Sequence, residues 1–280
     1  MKTYILLFQC RDQRGIVAKL ADFIFKAGAN IITADQHSTG LEGGYFFIRL
    51  EFVMNAGAKS KISLEKNLSI IVSSLGAQFS LYDKHKPLRM GICVSEPGHC
   101  LAEILYLWRE RELNVEIPFV ISNFQGHREF VKQYKIPFYF VPATKNNRKE
   151  AELLKIIAKS TDFLVLSRYM LVLSKKFLSA YGKDIINIHH GFLPSFKGSS
   201  PYKQALSSGV KVIGATSHFV TEKLDTGPII AQAVEQVSHK DGLEDLVRKG
   251  RNLEKRALLD ALQAYIDYRI IKHDNKTIVF

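Results

Sequence analysis

The chain has 280 residues, of which 46% are hydrophobic and 24% are charged, with a formal net charge of +12. This composition is typical of a globular protein with a sizeable core, and the length suits one large domain or two unequal ones. The sequence also argues against a membrane partner, since none of its apolar runs reaches the roughly 20 residues that cross a bilayer.

The basic residues and the three cysteines also exclude some functions. Lys and Arg are scattered without a dense run, which predicts a solvated basic surface and no nucleic-acid partner. Cys10, Cys93 and Cys100 lack CxxC spacing, so we expect free buried thiols rather than disulfides or zinc ligands. The apolar N-terminal stretch meets charge at Arg11 and no cleavage site follows it, so we expect a strand rather than a signal peptide and a cytoplasmic protein.

The first 83 residues follow the order βαββαβ, which predicts a ferredoxin-like domain. A Gly-rich turn at 40–44 separates its second and third strands. The charged stretch at 84–88, which contains Pro87, is the predicted linker. The predicted strands are 4–10, 30–37, 45–53 and 77–82, and the predicted helices are 16–27 and 62–74.

Residues 89–280 change to an alternation of strands and helices, which predicts an α/β, Rossmann-like domain with a mostly parallel sheet and helices on both faces. In such sheets the functional site lies beyond the carboxyl ends of the strands. A short tail, 269–280, is expected to form a hairpin around Asp274 and Asn275. The predicted strands are 88–94, 115–122, 138–141, 163–166 and 185–189, and the predicted helices include 99–111, 148–159 and 243–265.

One predicted strand ends in polar residues, Asn187, His189 and His190. Because alternate residues of a strand share a face, Asn187 and His189 point the same way and His190 points away. An amide and an imidazole side by side can stabilise an oxyanion and move a proton. On spacing alone, a polar strand end that bonds the loop backbone explains the pattern equally well. Asp225, in a turn before Gly227, can orient such a histidine or serve only the turn.

These segments together resemble a known family. Asn187-Ile188-His189, followed by Leu193-Pro194, Gly198, Pro201-Tyr202 and the segment 214–232, is similar to the catalytic core of formyltransferases that use 10-formyltetrahydrofolate. The resemblance implies a catalytic trio of Asn187, His189 and Asp225. Many transferases have proline after the histidine, whereas His190 stands there in this chain, as in formyltetrahydrofolate deformylases. The chain departs from that pattern at Gly191 and at 197–200, in the substrate loop.

The resemblance to deformylases implies hydrolysis of 10-formyltetrahydrofolate to formate and tetrahydrofolate, which supplies formate for purine synthesis and balances folate pools. No metal and no cofactor are expected, since HExxH, GxGxxG and P-loop patterns are absent from the sequence. On periodicity alone, 169–173 is better explained as core at the start of a helix, and the resemblance reverses that preference. The substrate-binding residues that the resemblance implies are Tyr169, Met170, Leu171, Val172, Leu173, His190, Gly214 and His218.

The N-terminal domain resembles the ACT domain that deformylases carry. The resemblance implies a homo-oligomer and an amino-acid effector, with glycine and methionine as the first candidates. A plain oligomerisation module is the alternative for this domain. For the whole chain, the alternatives are a formyltransferase that acts on an amine such as glycinamide ribonucleotide, and an amino-acid sensor with a decayed catalytic domain. The expected effector residues are Asp12, Gly15, Gly28 and Asn30.

Overall fold

A computed structural model describes residues 1–40, 43–54, 61–157, 160–195 and 200–280. Three predicted features lie partly outside the described residues: the Gly-rich turn at 41–42, the end of a helix at 158–159, and the substrate loop at 197–199, which contains Gly198. No helix of the described chain is long and apolar enough to cross a membrane.

Contacts between residues divide the chain into two units. Unit 1 comprises Met1–Lys86, Asp267–His273 and Ile278–Phe280, and unit 2 comprises Pro87–Ile266 and Asp274–Thr277. The domain limits predicted from the sequence, with a linker at 84–88, stay a prediction. The contacts nevertheless group most of the tail with unit 1, where the sequence division placed it in the second domain.

Unit 1 is built around an antiparallel sheet in the order β2-β3-β1-β4, and the predicted ferredoxin-like order is confirmed. β1 is buried on both faces. Leu6 and Phe8 pack in the same core as the two helices, while Ile5 and Leu7 pack with Ile271 of the tail. This packing explains why the tail groups with unit 1. The elements are β1 (Lys2–Arg11), α1 (Ile16–Lys26), β2 (Ala29–Ser38), β3 (Tyr45–Met54), α2 (Lys61–Leu75) and β4 (Gln78–Asp83).

From Leu88 onward the chain alternates strands and short helices before a long helix, and a two-stranded hairpin follows it, as predicted for the tail. A 3₁₀ turn at Gln125–His127 precedes α4. The elements are β5 (Leu88–Val94), α3 (His99–Arg109), β6 (Val115–Glu116), β7 (Val120–Ser122), α4 (Arg128–Lys132), β8 (Phe138–Phe140), α5 (Glu150–Ile157), β9 (Phe163–Ser167), α6 (Lys175–Tyr181), β10 (Ile185–His189), α7 (Pro201–Ser207), β11 (Val212–Phe219), β12 (Ile229–Gln236), α8 (Leu243–Ile266), β13 (Ile270–His273) and β14 (Lys276–Val279).

The large sheet has the order β12-β11-β10-β9-β5-β7-β8, with β6 also paired to β5. The strands from β10 to β8 are parallel, and β11 and β12 run antiparallel at one edge. The prediction of a mostly parallel sheet is therefore confirmed. β9 is buried at every residue, as expected of a strand in the middle of a sheet covered on both faces.

The prediction of one strand over 115–122 is wrong. Two short strands, β6 and β7, pair with β5 on either side of a break at Ile117–Phe119. Pro118 lies within this break and has no backbone N–H to donate to a neighbouring strand. The two antiparallel strands β11 and β12 were not predicted.

The register of the sheet brings the polar residues together. In parallel pairing, Asn187 of β10 lies beside Leu166 of β9, so both strands end at the same edge. In antiparallel pairing, Asn187 lies opposite His218 and His189 opposite Thr216. The register on the far side of β11 shifts at His218, a β-bulge of the kind often found beside active sites.

Candidate active site

A cavity of about 420 Å³ opens at the carboxyl ends of β9 and β10 in unit 2. Its lining combines apolar side chains with a few convergent polar groups, the usual composition of a small-molecule site. The residues that line it are Lys145, Leu166, Arg168, Tyr169, Met170, Leu171, Val172, Leu173, Asn187, Ile188, His189, His190, His218, Val220, Thr221, Glu222, Lys223, Leu224 and Asp225.

The three residues of the expected catalytic trio lie in this lining. His189 Nδ1 is 3.3 Å from Asp225 Oδ2, and their side chains are 5% and 8% exposed. Asn187 and His189 both belong to the polar cluster around Asp225, whereas His190 lies against the Tyr202 ring, with 6.1 Å between ring centroids. The alternation of faces predicted for this strand is therefore present. The arrangement combines a neutral donor, an imidazole and a carboxylate in one cavity wall.

His218 orients Asn187. Its Nδ1 lies 2.9 Å from the carbonyl oxygen of Phe219, which can only accept a hydrogen bond. Burial lowers the pKa of His218, partly offset by the bond to Phe219 and by Asp225, so the ring is neutral near pH 7. With the proton on Nδ1, Nε2 accepts from Asn187 Nδ2 at 3.2 Å. This bond fixes the Asn187 amide with its nitrogen toward the cluster.

A closed loop holds Asp225 in place. Phe219 N donates to Pro228 O at 2.9 Å across the base of the loop, and Thr226 Oγ1 donates to Lys223 O at 3.0 Å within it. Asp225 adopts a left-handed conformation with φ of 51°, which aspartate tolerates better than most residues. A Cβ on Gly227 would lie 1.8 Å from the Phe219 carbonyl oxygen. Only glycine therefore fits where the loop closes.

A second polar contact set fixes the segment after His190. Thr216 Oγ1 donates to Gly191 O at 2.9 Å and accepts from Leu193 N at 3.0 Å. Gln232 Nε2 donates to Leu193 O at 2.9 Å. Gly214, expected to bind substrate, is not among the residues lining the cavity. A Cβ there would lie 2.9 Å from the Phe192 ring, so this glycine makes room for that ring.

The segment 169–173, expected to bind the folate, forms one side of the cavity. Met170 and Val172 are 48% and 47% exposed, and Leu224, which also lines the cavity, is 58% exposed. Exposed apolar side chains in one cavity lining suit a flat, largely apolar group. Ser95 fixes the start of the segment, because its Oγ accepts from Met170 N at 3.0 Å and donates to Asn123 Oδ1 at 2.8 Å.

A buried cluster that the sequence analysis missed lies around Glu254 of α8. Its carboxylate is 2.8 Å from His99 Nε2, accepts from the Tyr202 hydroxyl at 2.7 Å, and lies 3.3 Å from Arg168 Nε. Burial alone would raise the pKa of Glu254, but its hydrogen bonds and the charge of Arg168 outweigh this and lower it. The sequence signal was a charged residue on the apolar face of a helix, between Leu253 and Ala257.

The same cluster contains the one group of potential metal ligands found among the described residues. Ligand atoms of His99, Cys100 and Glu254 lie within 4.8 Å of one another. Both Glu254 oxygens already take part in contacts with His99, Tyr202 and Arg168, and burial raises the pKa of the Cys100 thiol. A cationic guanidinium and a protonated thiol fit a hydrogen-bonded network rather than a metal site.

His190 lies between the two clusters. Its ring centroid is 5.3 Å from that of His189. Burial, reinforced by the positive charge of Arg168, lowers the pKa of His190 to about 3. His190 is therefore a neutral polar group in the cavity wall and not a source of positive charge.

All three cysteines are free and buried, as predicted. The expected effector residues lie in unit 1. Gly15 and Gly28 have φ of 85° and 73° at the two ends of α1, conformations that favour glycine. Asp12 Oδ2 accepts from Ser38 Oγ at 2.6 Å, and Asn30 is exposed on β2.

The chain was compared with known proteins. The formyl transferase family profile matches residues 88–262, and the ACT domain profile matches residues 4–58. The formyltetrahydrofolate deformylase of Bacillus subtilis (strain 168) is 44% identical over 278 residues, which covers 98% of this chain and 93% of that protein.

Solved structures show the same relationship. A formyltetrahydrofolate deformylase from Pseudomonas syringae pv. tomato matches with a TM-score of 0.95 at 40% identity, over 100% of this chain and 95% of that chain. Glycinamide ribonucleotide transformylase 1 from Symbiobacterium toebii matches with a TM-score of 0.65 at 29% identity, over 72% of this chain and 98% of that chain. The deformylase match extends through both units, and the chain therefore belongs to the formyltetrahydrofolate deformylase family.

Proposed function

We propose that the chain hydrolyses 10-formyltetrahydrofolate to formate and tetrahydrofolate. The observation that carries the proposal is the contact between His189 Nδ1 and Asp225 Oδ2 at 3.3 Å, in a cavity whose wall also holds Asn187. Membership of the deformylase family supports water as the acceptor. The exposed apolar side chains of the cavity lining suit the flat ring system of a folate.

The reaction needs an oxyanion to be stabilised and protons to be moved. A water oxygen forms a bond to the formyl carbon, and the carbonyl electrons move to the oxygen. We assign the two hydrogen bonds to this oxyanion to Asn187 and His189, since such donors are most effective in a water-poor site. Asp225 holds the histidine and accepts the proton of the water, directly or through the ring. The carbon–nitrogen bond then breaks, its electron pair stays on N10, and that nitrogen takes up a proton.

The decisive experiment is incubation of the chain with 10-formyltetrahydrofolate and buffer alone. We expect formate and tetrahydrofolate in equal amounts, without any added amine. If turnover strictly required an amine such as glycinamide ribonucleotide, the transferase activity would replace hydrolysis. The fold shared with the transformylase of Symbiobacterium toebii makes this a necessary comparison.

We also propose that the N-terminal domain binds an amino acid, glycine or methionine, and pairs with the same domain of a second copy. The ACT match at residues 4–58 supports this, as do the left-handed glycines Gly15 and Gly28 beside α1. An effector shifts activity only through its different affinity for two states of the protein. Turnover of the full chain with and without each amino acid tests the first proposal, and sedimentation tests the second. Equal rates under all conditions would contradict regulation by these ligands.

A further inference from the structure

Arg168 occupies an unusual position at the edge of the active-site cavity. It follows β9 directly, lines the cavity, and its side chain is 12% exposed. Its φ is 60°, a left-handed conformation that is unfavourable for a residue with a Cβ. The backbone is held there because Ser95 N donates to Arg168 O at 3.3 Å. Strain of this kind concentrates at functional sites.

One side of the Arg168 guanidinium is anchored. Its Nε lies 3.3 Å from Glu254 Oε2, an ion pair without a hydrogen bond. Glu254 is only 1% exposed and is held in turn by His99 and Tyr202. Glu254 therefore gives the Arg168 guanidinium a fixed ionic partner on one side. The Glu254 carboxylate itself makes two shorter contacts, with His99 and Tyr202.

The guanidinium nevertheless retains unused donors. Nε and Nη1 of Arg168 are buried and have no hydrogen-bond partner among the described residues. A buried charged donor without a partner is costly, so native proteins seldom leave one unless a ligand completes it. Nearby His190 is neutral and cannot balance the charge. The other acidic groups of the lining are paired elsewhere, Asp225 with His189 and Glu222 with Lys175.

We propose that Arg168 is the binding residue for a small carboxylate, the formate that leaves after hydrolysis. Formate is planar, carries one negative charge, and its two oxygens match the fork of a guanidinium. Arg168, His190 and His189 all line the cavity, and the ring centroids of the two histidines are 5.3 Å apart, so Arg168 shares the cavity with the proposed reacting groups. This inference rests on the proposed hydrolysis.

Binding of [¹³C]formate, followed by NMR line broadening at constant ionic strength, tests the proposal without relying on turnover. Arg168→Met is expected to weaken formate binding roughly tenfold or more, as loss of a charge-assisted pair predicts. The matched control is Arg248→Met, which removes a positive charge from a side chain that is 74% exposed on α8 and does not line the cavity, and it should leave formate binding unchanged. Inhibition of hydrolysis by formate should weaken in the same variant and not in the control.

Arg168→Lys keeps the charge without the fork and should bind formate with intermediate strength. The double variant Arg168→Met with Glu254→Gln removes both members of the ion pair, and it should fold even if the single variant does not. Wild-type formate affinity in any folded variant that lacks Arg168, or no formate binding by the wild type, would overturn the proposal. Arg168-dependent formate binding without formate release from 10-formyltetrahydrofolate would instead reject only the proposed hydrolysis.

Discussion

Two buried polar clusters contribute residues to the same cavity lining, and their carboxylates differ in how closely they are bonded. Around Glu254 the bonds from His99 and Tyr202 are short, 2.8 and 2.7 Å. Around Asp225 the contacts to His189 and His218 are longer, 3.3 and 3.8 Å. A carboxylate with short bonds is fixed and serves the fold, whereas looser contacts leave capacity for a substrate whose charge develops during reaction. A buried carboxylate thus has a different task in each cluster.

Substitution within the Asp225 cluster should abolish most of the activity and leave the fold intact. Asp225→Asn, His189→Ala and Asn187→Ala are each expected to lower kcat by roughly 10²–10³-fold, the usual loss for an oxyanion donor or its support. A variant with two of these substitutions should lose far less kcat than the product of the two single decreases, because the residues act on one oxyanion. Steady-state kinetics and circular dichroism measure the two properties. Near wild-type turnover in one variant would remove that residue from the mechanism.

Substitution of Glu254 should have the opposite effect: it should lower stability and leave most of the activity. Glu254→Ala is expected to lower the free energy of unfolding by about 3 kcal/mol, because Arg168 then remains buried without its ionic partner. The control on the same helix is Asp260→Ala, whose carboxylate is 58% exposed and lies 3.9 Å from Arg256. It should change stability by about 0.5 kcal/mol or less. Urea unfolding of the wild type and the two variants measures these differences in stability. Equal unfolding midpoints would show that the Glu254 cluster does not stabilise the fold.

The loop that holds Asp225 should tolerate no side chain at Gly227. A Cβ there would lie 1.8 Å from the Phe219 carbonyl oxygen, so Gly227→Ala must displace the loop. We expect a loss of about 1–3 kcal/mol in stability, with lower kcat because Asp225 moves away from His189. At Gly242 a Cβ would have its nearest neighbour, Asp245 Oδ2, at 3.9 Å, so Gly242→Ala should behave as wild type. Full activity of Gly227→Ala would mean that the loop position is unimportant.

The neutral His190 between the clusters should make stability depend on pH. The pKa of His190 is about 3 in the folded protein, compared with its ordinary value of 6.5. Between these pH values the unfolded chain therefore binds one proton more than the folded chain. The stabilisation is complete above pH 6.5 and is lost as the pH falls toward 3, by up to about 1.4 kcal/mol per pH unit. His218, whose pKa is also lowered, acts in the same direction.

The His190→Asn variant isolates this contribution. Its stability should decline less steeply than that of the wild type between pH 6.5 and 5, in denaturant titrations at a series of pH values. His239→Asn removes an exposed histidine instead and should keep the wild-type slope. Parallel pH dependence in all three proteins would show that His190 is not buried in its neutral form.

The sequence was most informative where the pattern is local. Strand alternation alone placed Asn187 and His189 on one side and His190 on the other. It failed at 115–122, where an apolar run suggested one strand although Pro118 interrupts the ladder. Gly214 was expected at the substrate but makes room for Phe192, a contact between residues 22 positions apart.

By itself the sequence determined the order of elements in the first 83 residues and the alternation of strands and helices that follows, because hydrophobic periods of 2 and 3.6 recur along the chain. It also determined the residues of the candidate trio, through their resemblance to a family. Only the tertiary structure decided what surrounds them. Glu254 meets His99, at a separation of 155 residues, through the packing of α8 against α3, and the tail joins β1 through Ile271. No local pattern encodes such contacts, since they depend on how distant elements pack to bury their apolar faces.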